Sequence, residues 1–143
     1  MSDDMTADLF EREIYNCRKN ASRMIWVKFD FEGIHMYPAA ADTAGEGRMD
    51  VSFLQFPHRH TFFLKVYIEV YHNDRDIEFI QFKRWCQDQF GDGENLVQLN
   101  NNSCEMIADD LYDKIAHTFP KREVWIEVSE DNENGTLIKY NRR

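Results

Sequence analysis

The sequence predicts an α+β fold: a four-stranded antiparallel sheet with two helices on one face, in the order strand, strand, helix, helix, strand, strand. Three observations lead there. Four segments alternate apolar and polar residues with period two, the signature of half-buried strands. Between the second and third of them, two segments carry apolar residues at helical spacing. Strands that follow one another in sequence pair as hairpins, which favours an antiparallel sheet and a single helical layer.

The first strand is Met24 to His35, with Ile25, Val27, Phe29 and Phe31 on one side and Lys28 and Asp30 on the other. Before it, Leu9, Phe10 and Ile14 stand among charges at near-helical spacing, a short amphipathic helix within an N-terminal extension, residues 1–22. After it, Tyr37 to Asp50 carries Pro38, Gly45 and Gly47 and reads as a long loop. The second strand, His60 to His72, is the strongest strand signal: Phe62, Leu64, Val66, Ile68 and Val70 share one face. A helix is expected over Asp76 to Phe90, with Ile77, Ile80, Phe82 or Lys83, Trp85 and Phe90 in its broad stripe, ended by Gly91 and Gly93. The chain then reads as loop to Asn102. Ser103 is a good N-cap for a second helix, Cys104 to Thr118, whose apolar face is Met106, Ile107, Leu111, Ile115 and Ala116. Glu123 to Glu130 alternates again. Asn132 to Gly135 reads as a hairpin-type turn on its Asn134-Gly135 pair, and Thr136 to Tyr140 is the last strand. Residues 23–143 thus form one domain. The outer sheet face carries Trp26, Phe63, Tyr67 and Trp125, an apolar surface that a homo-oligomer would cover.

Composition narrows the function classes. With 17 Lys and Arg against 26 Asp and Glu, the net charge is −9, which argues against counterion-driven nucleic-acid binding and against a polybasic membrane surface. No apolar run is long enough for a membrane span. Cys17, Cys86 and Cys104 are odd in number and widely spaced, with no CxxC pair. They read as reduced thiols in a cytoplasmic protein. The acidic N-terminus lacks an apolar core and is no secretory signal.

The chemistry gathers at the histidines. His58 and His60 project to the same face of an extended chain, so both imidazoles can meet one ion. His35 closes the first strand, whose end lies beside the start of the second in an antiparallel pair. Three converging imidazoles with a fourth position free make a catalytic-type zinc set. The plainer reading is three ordinary strand-end histidines. His72 and His117 stand apart from this group and read as surface residues.

Five short motifs in order resemble the 6-pyruvoyltetrahydropterin synthase / 6-carboxytetrahydropterin synthase family. They are Phe31-Glu-Gly-Ile-His35, His58-Arg-His60, Ile77-Glu78-Phe79, Ser103-Cys104-Glu105 and Ile126-Glu-Val128-Ser-Glu130. The resemblance runs from about residue 24 to Tyr140. It implies the tunnelling fold, in which such units join side by side into a barrel, typically a homo-hexamer. It implies zinc on His35, His58 and His60, and a pterin or purine-like ligand, or a deazapurine precursor, in a lyase-type reaction. It also implies substrate contacts from Ser103, Glu105 and Glu130, with Glu130 anchoring the ligand's N–H edge. Such a carboxylate can accept two parallel donors. On the residues alone, Glu130 is simply part of the acidic turn SEDNEN.

The sequence departs from the family where protons move. Leu54 stands where the family has its cysteine, and Ser52 is the nearest hydroxyl. Asp92 matches the acidic member of the family's Asp-His pair, but Gly93 replaces the histidine, and Arg59 replaces the small residue between the zinc histidines. Two substitutes suggest themselves as catalytic groups: Asp92, and Cys104, whose place in the first turn of a helix would lower its thiol pKa. The alternative for Cys104 is a small buried residue at a helix start. The expectation is therefore a zinc-dependent synthase-like protein with altered or reduced catalysis, or a non-catalytic oligomer that binds zinc and a pterin.

Overall fold

The computed structural model describes residues 3–142. In chain order the elements are α1 (Asp3–Lys19), β1 (Arg23–His35), β2 (His58–Val70), α2 (Phe79–Asp88), β3 (Val97–Asn100), α3 (Cys104–Thr118), β4 (Val124–Glu130) and β5 (Asn134–Tyr140). Three short 3₁₀ turns, Pro38–Thr43, Gly47–Met49 and Ser52–Gln55, occupy the expected long loop. None of the described helices is long and apolar enough to cross a membrane.

The class is α+β, but the sheet corrects the expectation of four antiparallel strands. It has five strands in the order β3-β1-β2-β4-β5, and β3 runs parallel to β1. The extra strand is only four residues long and follows a loop containing Gly91 and Gly93, so the brief alternation Val97-Gln98-Leu99-Asn100 is too short to mark it as a strand. It holds the edge of β1 by pairing Val97 with Gly33 and Gln98 with Ile34. The register then slips, and His35 faces Asn100, a residue with left-handed backbone (φ 54°). An irregularity of this kind re-aims the chain that follows it.

The long antiparallel pair β1–β2 is in continuous register from Arg23↔Val70 to His35↔His58. Alternation sends Val27, Phe29, Phe62, Leu64, Val66 and Ile68 into the core, and β4 adds Val124, Ile126 and Val128. The same core receives Phe82 and Cys86 from α2 and Ile107, Ala108, Leu111 and Ile115 from α3. Each fully buried aliphatic or phenyl side chain here contributes about 1.5–3 kcal/mol. Two helix stripes differ in part from expectation. Phe82, Ile107, Leu111 and Ile115 are buried as expected, but Ile80 and Met106, at the margins of their stripes, are half exposed, and Cys86 joins the buried side of α2. Cys86 is in the core, and its thiol is pushed up to about 12 by burial.

The β4–β5 turn also differs. It comprises Asp131–Glu133, with Asp131 and Asn132 at φ 54° and 59°, and Asn134-Gly135 already belongs to β5. Gly135 is required in the strand because a Cβ there would lie 2.1 Å from the Val128 carbonyl oxygen. On the outer face, Trp26, Tyr67 and Trp125 form a cross-strand row. Lys65 Nζ lies 4.6 Å from the Trp26 ring centre and Lys139 Nζ 4.3 Å from that of Trp125, so two cations partly cover the row. Helix α1 is exposed at every described position from Thr6 onward, and Arg23 ties its end down by donating to the Arg18 and Ala21 carbonyls.

The other end of the sheet is stapled by an ion pair. Arg122 donates to Asp76 (2.8 Å) and to the Glu69 carbonyl (2.9 Å), and Asp76 also accepts the Tyr71 N–H. The Arg122 guanidinium, followed by that N–H, lowers the Asp76 pKa to about 2. The folded pKa lies below the unfolded value, so this stabilisation is complete above about pH 5 and is lost as pH falls toward 2, a change of about 2 kcal/mol. Urea unfolding at pH 7 and pH 3 should therefore show Asp76→Asn costing clearly less at pH 3 than at pH 7. An equal cost at both pH values would remove the ion pair as its cause.

Candidate metal centre

The β1–β2 register places His35 directly opposite His58, and His60 lies two residues further along the same face of β2. The three rings meet edge to face, with centres 4.6 Å (His35–His58), 5.0 Å (His58–His60) and 5.3 Å (His35–His60) apart. One ring nitrogen from each lies within 4.8 Å of the other two, close enough for all three to hold one metal ion. His35 is buried, and the other two are half-buried. Phe62 packs edge-on against both His35 and His60 and forms the apolar floor. Above it Gly33 has no side chain, and a Cβ there would come within 2.8 Å of Leu99 and 2.9 Å of Phe62.

Hydrogen bonds fix which nitrogen of each ring faces inward. His35 Nδ1 lies 2.8 Å from the Asn102 carbonyl oxygen, and His58 Nδ1 lies 2.8 Å from that of Phe56. A carbonyl only accepts, so each Nδ1 carries the proton. His60 Nδ1 meets the Asp131 carboxylate at 2.6 Å, whose other oxygen accepts the Thr61 N–H. These two contacts, His60 first, lower the Asp131 pKa, so this carboxylate is an acceptor as well. With Nδ1 donating in all three rings, Nε2 is the nitrogen each ring has left to offer an ion. Histidines that ligate metals are held in this way. Sequence reasoning missed all three supporting groups. Two are backbone carbonyls, which carry no residue signature, and Asp131 sits inside an acidic run that hides it.

The surroundings form a cavity of about 480 Å³, within the usual range for small-ligand sites. Of the residues expected to bind substrate, Ser103, Glu105 and Glu130 all line it. Ser103 also caps α3, accepting the Met106 N–H. Glu130 ends β4 with its carboxylate among the imidazoles, Oε1 3.3 Å from His35 Nε2 and Oε2 3.4 Å from His60 Nε2. Arg59 points to the opposite face, pairs with Glu32 and leaves the centre unobstructed.

The two expected catalytic groups fare differently. Cys104 lines the cavity, its Sγ 3.8 Å from Glu130 Oε1. Its pKa, however, is pushed up to about 12, first by burial and then by the charges of Glu130 and Glu105, so the thiol stays protonated near neutrality. This is the opposite of the lowering expected at a helix start. Asp92 is not among the lining residues. Its carboxylate accepts the Glu94 N–H within an exposed loop. Leu54 does line the cavity and presents an apolar wall where a proton-transfer group was sought.

The support for His60 gives a direct expectation. Asp131→Asn keeps the size of the side chain but removes the charge behind Nδ1, and should weaken divalent-metal binding by about 10–100-fold. Competition with a chromophoric chelator measures this, and an unchanged affinity would show that Asp131 does not support the ligand. No protein-family model matches this chain, and none of the curated proteins matches it significantly.

Proposed function

We propose that this protein holds a divalent metal ion, zinc, on His35, His58 and His60 and binds a pterin or purine-like heterocycle beside it. In this reading it is a relative of the 6-pyruvoyltetrahydropterin and 6-carboxytetrahydropterin synthases in which proton transfer is reduced. The observation that carries it is the convergence of three imidazoles whose Nδ1 atoms all donate to fixed acceptors. Bound zinc would polarise a ligand oxygen. Glu130, with Ser103 and Glu105 beside it, supplies acceptors for an aminopyrimidinone edge. Reduced catalysis follows from a thiol held near pKa 12 and an apolar wall at Leu54. A second copy packed on the Trp26–Tyr67–Trp125 row would make the protein a homo-oligomer.

Metal analysis of untagged protein should find about one zinc per chain, by the stoichiometry of a three-histidine site. Protein that takes up no added zinc would sink this reading. Calorimetry with neopterin should detect binding that Glu130→Ala abolishes. Incubation with dihydroneopterin triphosphate and product analysis then separates a slow enzyme from a binder.

A further inference from the structure

The Glu130 carboxylate lies 3.3–3.4 Å from two imidazole nitrogens, yet neither His35 Nε2 nor His60 Nε2 has a hydrogen-bond partner, although both atoms are buried. Because Nδ1 carries the proton in both rings, these nitrogens present lone pairs to a carboxylate that presents lone pairs in return. Acceptors facing acceptors at this distance repel unless a cation lies between them. The separations themselves fit one. A tetrahedral ion with bonds of about 2.0–2.1 Å places its ligand atoms about 3.3–3.4 Å apart. Cys104 Sγ lies 3.8 Å from Oε1 of the same carboxylate.

We propose that Glu130 is the fourth metal ligand, and an exchangeable one. It completes a three-histidine, one-carboxylate set in the resting protein and leaves the ion when a heterocycle presents paired N–H donors. The vacated position then passes to water or to an oxygen of the arriving molecule. No bond to carbon changes and no electron moves; one oxygen donor replaces another. The inference rests on the three histidines holding a metal, and it adds that one carboxylate serves ion and ligand by turns. Glu130 is well placed to do so. It is the last residue of β4, its neighbour Asp131 holds His60, and Glu130 itself lines the cavity.

Cobalt(II) replaces zinc and reports its coordination in the visible spectrum. Cobalt bound to the wild type should show an intense four-coordinate spectrum. In Glu130→Gln, an isosteric change whose folding is checked by circular dichroism, the spectrum should weaken and shift as water enters, and the cobalt Kd should rise at least tenfold. Cys104→Ser should keep the wild-type spectrum, since its sulfur is not a ligand. Neopterin added to the wild type should move the spectrum toward that of Glu130→Gln. If cobalt binds and Glu130→Gln leaves spectrum and Kd unchanged, the fourth-ligand assignment is overturned while the histidine site stands. If cobalt does not bind at all, the metal reading itself fails. Neopterin that binds by calorimetry without altering the spectrum, or that does not bind, overturns the exchange.

Discussion

His35→Ala should weaken zinc or cobalt binding by well over 100-fold, more than the roughly 10–100-fold typical of losing a supporting partner. His35 is the most buried of the three histidines, and its ring is held by the Asn102 carbonyl. Removing the ring also strands that carbonyl at the cavity wall, and an unsatisfied acceptor costs about 1–3 kcal/mol. Folded His35→Ala, confirmed by circular dichroism, should hold less than stoichiometric metal after dialysis against micromolar zinc. His72→Ala is the matched control. His72 is largely exposed and sits at the far end of β2, near Asp76, so its loss should leave metal content unchanged. Equal metal retention by the two variants would remove the three-histidine centre from consideration.

Phe62→Ala should be the most damaging single change to stability, at about 3–5 kcal/mol. The side chain is fully buried, stacks on Phe31 with ring centres 5.6 Å apart, and lies against His35 and His60. Phe31 in turn stacks on Phe90 at 4.5 Å, so the cavity left by Phe62 opens into a chain of rings that cannot collapse as a unit. Gly33 admits Phe62 by leaving no Cβ against its ring. Urea titration should show the loss directly. Phe53→Ala, at an exposed position, should stay within about 0.5 kcal/mol of wild type. A Phe62→Ala midpoint close to that of wild type would mean that the floor of the centre can repack.

How much of this was legible in the sequence depends on the range over which each feature is encoded. Long alternation, as in Phe62, Leu64, Val66 and Ile68, writes a strand into the sequence locally, and the HxH spacing with His35 at the matching strand end follows from that pairing. Ser103 and its helix were equally plain, because capping is a contact within four residues. What escaped was set by tertiary context. Val97–Asn100 is a strand only because the free edge of β1 receives it. The Asn134-Gly135 pair looked like a turn, but the left-handed backbone fell on Asp131 and Asn132, and close approach to Val128 claimed the glycine. Cys104 was placed correctly at a helix start, yet its ionisation depends on burial and on Glu130, neither of which is visible from its neighbours in sequence.

The short parallel strand has a consequence for how the molecule assembles. The acceptor for His35 lies 67 residues downstream, at Asn102, and reaches the ring only after β3 has docked and its register has slipped at Asn100. In the unfolded chain nothing holds that imidazole in the tautomer a metal needs, so an ion held at the proposed centre would draw its affinity from completed folding. By thermodynamic linkage, an ion that prefers the native state raises stability by about 2.7 kcal/mol at 100 times its Kd. A chelator should therefore act on this protein as a mild denaturant, and the edge at β3 should be the first part of the sheet to exchange its amide hydrogens when the ion is withdrawn.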